Sequence, residues 1–391
     1  ANALSLKAAE ESLVLLKNEN LLPLQKNETV SLLGPMADSW YQDWYGGEPP
    51  CKKTVKDGFD ALGIPYTAFD GWNRVMLRFG EKGAFVNEDG SVSLSDTPDV
   101  FVMEDFGENC YLFKCVRTNK YLSMQMPKGP GVLYHPIAAD AEKPFNWFTV
   151  QIFHFEEKDG RQILLNRFYW PVEIEEGRLM SGKGYGGTPV TIEIVEDGIA
   201  KAVKMAKSAK NAIVALGQTP LIPAKEEYDR HTMVLPPHQQ KLMEAVLSAN
   251  PNTALVLIAN YPHLIPFAKE KVPAILLSAS GSQQMGPAIA NALFGLHAPA
   301  GRLNMTWYET DDLPSIDDYD IIRTKRTYRY YDGEPLFPFG FGCTYTSFRY
   351  SDFSVVLKDK DTLSFSFAVE NTGSVTSDEV AQVYAIAPSS R

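Results

Sequence analysis

Apolar and polar positions change rhythm several times along the chain. At the start, Leu4, Ala8, Leu13 and Leu16 recur at helical intervals and Asn18–Asn20 follow as a stop, which predicts one amphipathic helix. The run "TVSLLGP" (29–35) then reads as a buried strand broken by Gly34-Pro35, "TVKDGFDALG" as a short helix, and "IPYTAFDG" as another strand. Such alternation of helix and strand predicts an α/β layer.

From Trp72 to about residue 195 helical periodicity disappears and aromatic, Thr/Val-rich, glycine-punctuated runs replace it. "VFVMEDF" (100–106), "WFTVQIF" (147–153) and "VTIEIV" (190–195) predict similar strands. Between them lie "LFKCVRTNKYLSM" and "ILLNRFYWPVEI", with "VMLRFGEKGAFVN" (75–87) as a first copy. Three repeats of about forty residues, none able to bury its own face, point to a closed three-fold β-structure, a trefoil. The α/β pattern resumes in "DGIAKAVKMAKSAKNAIVALG" and continues through "PPHQQKLMEAVLSANPNTALVLIA" and "VPAILLSAS…QQMGPAIANALFG". The β-rich stretch is therefore an insertion. After "PLFPFGFG" the runs "SFRYSDFSVVL", "TLSFSFAVENTG" and "DEVAQVYAIA" predict three strands, roughly half of a seven-stranded sandwich. A half-sandwich exposes edges and an apolar face, so another segment is expected to complete it.

The expected organisation is thus an α/β sandwich over 1–71 and 196–343, interrupted by a β-trefoil-like domain over 72–195 and followed by a partial β-sandwich over 344–391. In open α/β sheets ligands gather beyond the strand C-terminal ends. That rule draws attention to "AKEEYDR" (224–230), a few residues past the strand expected at 212–216.

Composition narrows the function classes. Apolar residues make up 45% and charged residues 22%, as in an ordinary globular protein. A net charge of −11 without any basic block argues against a nucleic-acid partner. No apolar run approaches the roughly 18–20 residues needed to span a bilayer, so no membrane partner is expected. Cys51, Cys110, Cys115 and Cys343 lack zinc-ligand spacing, and such sparse use fits a reducing, cytoplasmic compartment while leaving room for one disulfide. The chain does not begin with methionine, which hints that something once preceded it or was cut from it.

A Glu-Glu pair beside Asp and Arg is most often a solvated ion cluster. Read as chemistry, one acid at the mouth of a sheet could serve as general acid and base. Cleaving a glycosidic bond needs two carboxylates across the bond, so adjacent Glu226 and Glu227 can supply only one of the two.

The segments "AAEESLVLLKNENLLPL", "LLGPMAD", "DWYGG", "ALFGLHAPAGRLNMTWY" and "KRTYRYYDGEPLFPFGFGCTYTSFRYS" resemble, in order, landmarks of glycoside hydrolase family three, the family of β-glucosidases and β-xylosidases. The resemblance implies an aspartate nucleophile on a barrel domain and a glutamate acid/base on a following α/β-sandwich domain, within a stretch like E-x-E-G-x-D-R before Leu-Pro. Matching "AKEEYDR…LP" puts the acid/base on Glu226, with Glu227 as rival. Two positions depart from the pattern: Ala224 replaces its first acid and Glu227 its glycine. Asp229 and Arg230 are expected to form an orienting ion pair. Gln284, often Glu in relatives, reads as supporting or structural.

Trp40, Trp44 and Tyr45 before Gly46-Gly47 are candidates to line a sugar cleft, as is Tyr228. Tyr328, Tyr330 and Tyr331 read as an alternating aromatic strand, more in keeping with core. Asp38 and Asp43 lack the nucleophile's context, and no barrel pattern is present. The inserted repeats resemble a fascin-like trefoil and the C-terminal strands a fibronectin type III-like domain. The resemblance therefore implies the acid/base half of a retaining β-glycosidase that acts on terminal β-linked glucose or xylose without metal or cofactor. Its nucleophile would come from a barrel polypeptide, and burial would raise the acid's pKa. The competing reading is a catalytically silent carbohydrate-binding scaffold.

Overall fold

In the computed structural model the described residues are 1–42, 45–126, 134–144, 147–184, 186–226, 228–315 and 317–386. One six-stranded sheet has the order Val14–Asn18, Ala274–Ser278, Thr253–Ile258, Asn211–Gly217, Val30–Leu33, Tyr66–Phe69, and its last five strands are parallel. Only Val14–Asn18 is antiparallel, pairing Val14 with Leu277. The three central strands are buried along their whole length, as expected where helices cover both faces. Helices Asn2–Glu11, Val55–Leu62 and Met285–Leu293 lie on one side, and Gly198–Ser208 and Pro237–Ala249 on the other.

The expected single N-terminal helix is corrected by this arrangement. It ends at Glu11, and the following residues form the edge strand Val14–Asn18. Leu13 and Leu15 enter one core cluster while Val14 and Leu16 enter the other. That is a period of two, and burial on both faces made it look like a helical run.

Close packing holds the first layer. Thr54 and Asp57 form a capping box that starts Val55–Leu62. This helix crosses Met285–Leu293 so tightly that a Cβ on Gly286 would sit 1.6 Å from the Thr54 carbonyl oxygen. Only glycine fits there.

The described residues between Trp72 and Asp197 form twelve antiparallel strands. Six of them, Asn73–Phe79, Phe101–Asp105, Tyr111–Cys115, Phe153–Lys158, Arg161–Asn166 and Thr191–Glu196, pair in sequence and close through an Ile163–Pro189 bridge. The other six form three hairpins that pair with one another through Arg178–Ser93, Tyr134–Gly182 and Ser91–Ala138. Val75, Phe101, Phe113, Phe153 and Leu164 fill the interior. Of the strands expected here, "WFTVQIF" is displaced: residues 147–152 turn, and the strand starts at Phe153.

The C-terminal stretch contains one hairpin, Phe348–Asp359 with Thr362–Asn371. The strand expected in "DEVAQVYAIA" does not form among its described residues. Among the described residues no second layer covers the hairpin, and Phe353, Leu357 and Leu363 are 67%, 64% and 59% exposed. Tyr328 and Tyr330 belong to a one-turn helix, Thr327–Tyr330, with Tyr331 as its cap, instead of an alternating core strand. None of the sheets among the described residues is a closed parallel barrel. All four cysteines are free, no helix among the described residues is long and apolar enough to cross a membrane, and no metal-holding cluster of His, Cys, Asp or Glu occurs among them.

Candidate active site

The central strand Asn211–Gly217 ends at a backbone lock. Gly217 adopts a φ of 148°, and a Cβ there would lie 1.9 Å from the Ile258 carbonyl oxygen. The fully buried Gln239 then satisfies both backbone groups of Gly217. It accepts from the amide at 2.9 Å and donates to the carbonyl at 2.9 Å. A strand end so fixed sends the chain into the loop that carries the candidate acid.

In that loop Leu221 and Ile222 are buried, and Lys225 and Tyr228 pair backbone to backbone across a turn that holds Glu226. The Lys225 amide donates to the Tyr228 carbonyl at 2.9 Å, and the Tyr228 amide to the Lys225 carbonyl at 3.0 Å. Glu226 stands within this turn and is exposed, so the burial expected around it is not supplied by the described residues. The rival Glu227 lies outside the described residues. Tyr228 is 45% exposed, and the Arg167 guanidinium lies 4.5 Å from its ring centroid.

The expected Asp229–Arg230 ion pair is not formed. Asp229 faces solvent, while Arg230 turns inward, its guanidinium carbon 3.7 Å from the Tyr261 ring centroid. It donates to Gln218 Oε1 at 3.4 Å and to the Pro262 carbonyl at 3.3 Å. An aromatic face and a carbonyl at a partly buried site suit the planar, weakly hydrated guanidinium. Burial lowers the Arg230 pKa, raises that of the Tyr261 hydroxyl to about 12, and lowers that of His263 to about 3.

The segment before Gly46-Gly47 follows strand Val30–Leu33 and so leaves the sheet at the same C-terminal edge. Trp40 donates its indole N–H to the Ser282 carbonyl at 3.0 Å, with Lys52 5.3 Å over its ring. Tyr45 is 70% exposed, the Gly46 carbonyl accepts from Gln42 at 3.1 Å, and Gly47 borders open space. Asp43 and Trp44 lie outside the described residues. Gln284 precedes helix Met285–Leu293 and points its amide at Cys51 Sγ, 3.4 Å away.

Both candidate segments touch residues of the insert between strands Tyr134–Ala141 and Phe153–Lys158. Lys143 Nζ donates to Gln42 Oε1 at 3.2 Å and lies 3.7 Å from Glu48, while Lys225 sits 5.0 Å over the Trp147 ring. A separate cleft of about 790 Å³ opens where the sheet edge meets the insert, lined among others by Asp38, Lys56, Arg74, Glu104 and Lys114. Sequence patterns had singled out neither Gln239 nor Arg167, Trp147 and Tyr261. A buried glutamine bonded to backbone carries no sequence signature, and the others act through contacts made by tertiary structure.

Residues 13–345 match the description "Glycosyl hydrolase family 3 C-terminal domain". The chain belongs to glycosyl hydrolase family 3. It is 36% identical over 206 residues to the thermostable beta-glucosidase B of Acetivibrio thermocellus, covering 49% of this chain and 27% of that protein. Against the probable beta-glucosidase I of Emericella nidulans the match is 27% over 476 residues, covering 99% of this chain and 54% of that one. In fold it is similar to DesR, a beta-glucosidase of Streptomyces venezuelae solved with D-glucose, and to the beta-glucosidase of Kluyveromyces marxianus solved with glucose. The TM-scores are 0.61 and 0.60 at 24% and 22% identity, each over 95% of this chain and 48% and 51% of those. The chain thus spans about half the length, or less, of these relatives.

Proposed function

We propose that this family 3 chain supplies the proton-shuttling acid of a retaining β-glycosidase, with Glu226 in that role. Its substrates are compounds bearing a terminal, non-reducing β-linked glucosyl or xylosyl group. The nucleophilic aspartate comes from a barrel domain outside these 391 residues. The observation that carries this reading is the exposed Glu226 on a turn held just beyond the C-terminal end of the central strand, in a chain of this family. The names of the relatives favour a β-glucoside substrate.

In the first step Glu226 donates its proton to the departing glycosidic oxygen as the aspartate attacks the anomeric carbon. In the second it removes a proton from water, which displaces the aspartate. The burial that keeps such an acid protonated comes from the apposed barrel surface and the bound sugar.

The insert is read as a trefoil-like domain spanning 72–195, supported by its six closing strands and three hairpins. The hairpin after residue 343 is read as part of a fibronectin type III-like sandwich.

In the complete protein, Glu226→Ala is expected to lower kcat/KM at least ~100-fold for alkyl β-glucosides. For 2,4-dinitrophenyl β-glucoside, which leaves without a proton, kcat/KM changes little and azide accelerates turnover. Near-normal activity of Glu226→Ala alongside an inactive Glu227→Ala transfers the role to Glu227.

A further inference from the structure

The loop that carries Glu226 rests on the inserted strands at four successive points. Its root is apolar: Leu221 and Ile222 share a buried cluster with Phe106, Cys110, Leu112 and Ile152 of the insert. Ahead of it, the buried Gln218 side chain reaches the Phe106 carbonyl at 3.4 Å. The turn itself is gripped from the side. Lys225 lies 5.0 Å over Trp147, and Arg167, buried and bonded to the Phe148 carbonyl at 3.3 Å, lies 4.5 Å over Tyr228. Residues 225 and 228 are the two whose backbones close the turn on either side of the candidate acid.

The far end is held by Glu108. Its Oε2 accepts the His231 amide at 3.0 Å, and the adjacent Gly107 packs against Pro236, where a Cβ would come 3.3 Å from the proline Cα. Gly107, Glu108 and Asn109 take φ values of 77°, 49° and 58°, three left-handed residues in a row. Glu108 has no intrinsic preference for that region. Its conformation is fixed by neighbours: Asn109 bonds both backbone groups of Phe155, and the Asn109 carbonyl meets His154 Nδ1 at 2.8 Å.

We infer that the inserted β-structure positions the acid/base turn, with Glu108, Trp147 and Arg167 as its positioning residues. The inference rests on Glu226 being the acid. The insert then does more than border a cleft. It fixes the distance between the Glu226 carboxyl and the glycosidic oxygen, to which proton transfer is sensitive, since a displacement of about 1 Å can cost ~100-fold in rate.

The test compares kcat/KM of Arg167→Ala and Glu108→Ala in the complete protein on two substrates, an alkyl β-glucoside and 2,4-dinitrophenyl β-glucoside. Both variants are expected to lose at least ~10-fold more on the alkyl substrate, with Arg167→Lys and Glu108→Gln recovering part of the difference. Because the comparison is a ratio within one preparation, a fraction of misfolded protein cancels. Equal losses on both substrates, or no loss on either, overturn the inference. Glu226→Ala run in parallel separates the two readings. If it shows no leaving-group dependence, the acid assignment fails. If it does while the insert variants do not, only the positioning role fails.

Discussion

Glu226 and Glu104 show one functional group in two environments. Glu226 is exposed, whereas Glu104 is buried at the wall of the cleft between sheet and insert. One Glu104 oxygen accepts the Tyr121 hydroxyl at 2.8 Å and the other has no hydrogen-bond partner among the described residues. Burial raises its pKa from 4.5 to about 7, with the nearby Asp70 charge adding to the shift and the Tyr121 bond opposing it. Between those two values the folded state holds a proton that the unfolded state has lost, so this group's contribution falls as pH rises through that window. At about 1.4 kcal/mol per pKa unit, the change is on the order of 3 kcal/mol. His263 acts in the opposite sense, its burial adding stability as pH rises from about 3 to 6.5. The difference between wild type and Glu104→Gln isolates the first effect. Glu104→Gln is expected to be stabilised relative to wild type at pH 8 and not at pH 5, read from denaturation midpoints. The motif around residue 226 marked one acid as chemical. Nothing in "VFVMEDF" separated the inward Glu104 from its neighbours, because strand alternation does not say which face is the core.

At the level of elements, long periodic segments were legible and edges were not. Helices Gly198–Ser208 and Pro237–Ala249 and strands Thr253–Ile258 and Ala274–Ser278 stand where their patterns put them. Val14–Asn18 was misread because both faces of a covered strand are apolar. The run 378–386 was misread because alternation alone does not supply a partner strand. Short elements such as Pro266–Lys271 gave no periodicity to read. The loop bearing Glu226 depends on a device that no pattern announces, the Gln239 side chain closing the end of Asn211–Gly217. Gln239→Leu keeps the volume but strands a buried amide and a buried carbonyl on Gly217. The expected cost is about 2–5 kcal/mol of stability, measured by chemical denaturation. A cost under ~1 kcal/mol would mean that the strand end is held by something else.

On the scale of the whole molecule, two exposed surfaces stand out among the described residues. Apolar side chains cover the exposed hairpin Phe348–Asn371, and the C-terminal edge of the sheet presents Glu226, Tyr45 and Tyr228 to solvent. On the proposed function a second carboxylate must face Glu226, and only the resemblance to family 3 implies it. The α/β framework and its place in family 3 were therefore readable from sequence, whereas the contacts that tie insert to loop required the packed structure. The most direct measurement is a crystal structure of the complete protein trapped as its 2-deoxy-2-fluoroglucosyl intermediate. Glu226 is expected with its carboxyl about 5–5.5 Å from the modified aspartate. A different acid at that distance, with Glu226 beyond hydrogen-bond reach of the sugar and its incoming water, would contradict the assignment.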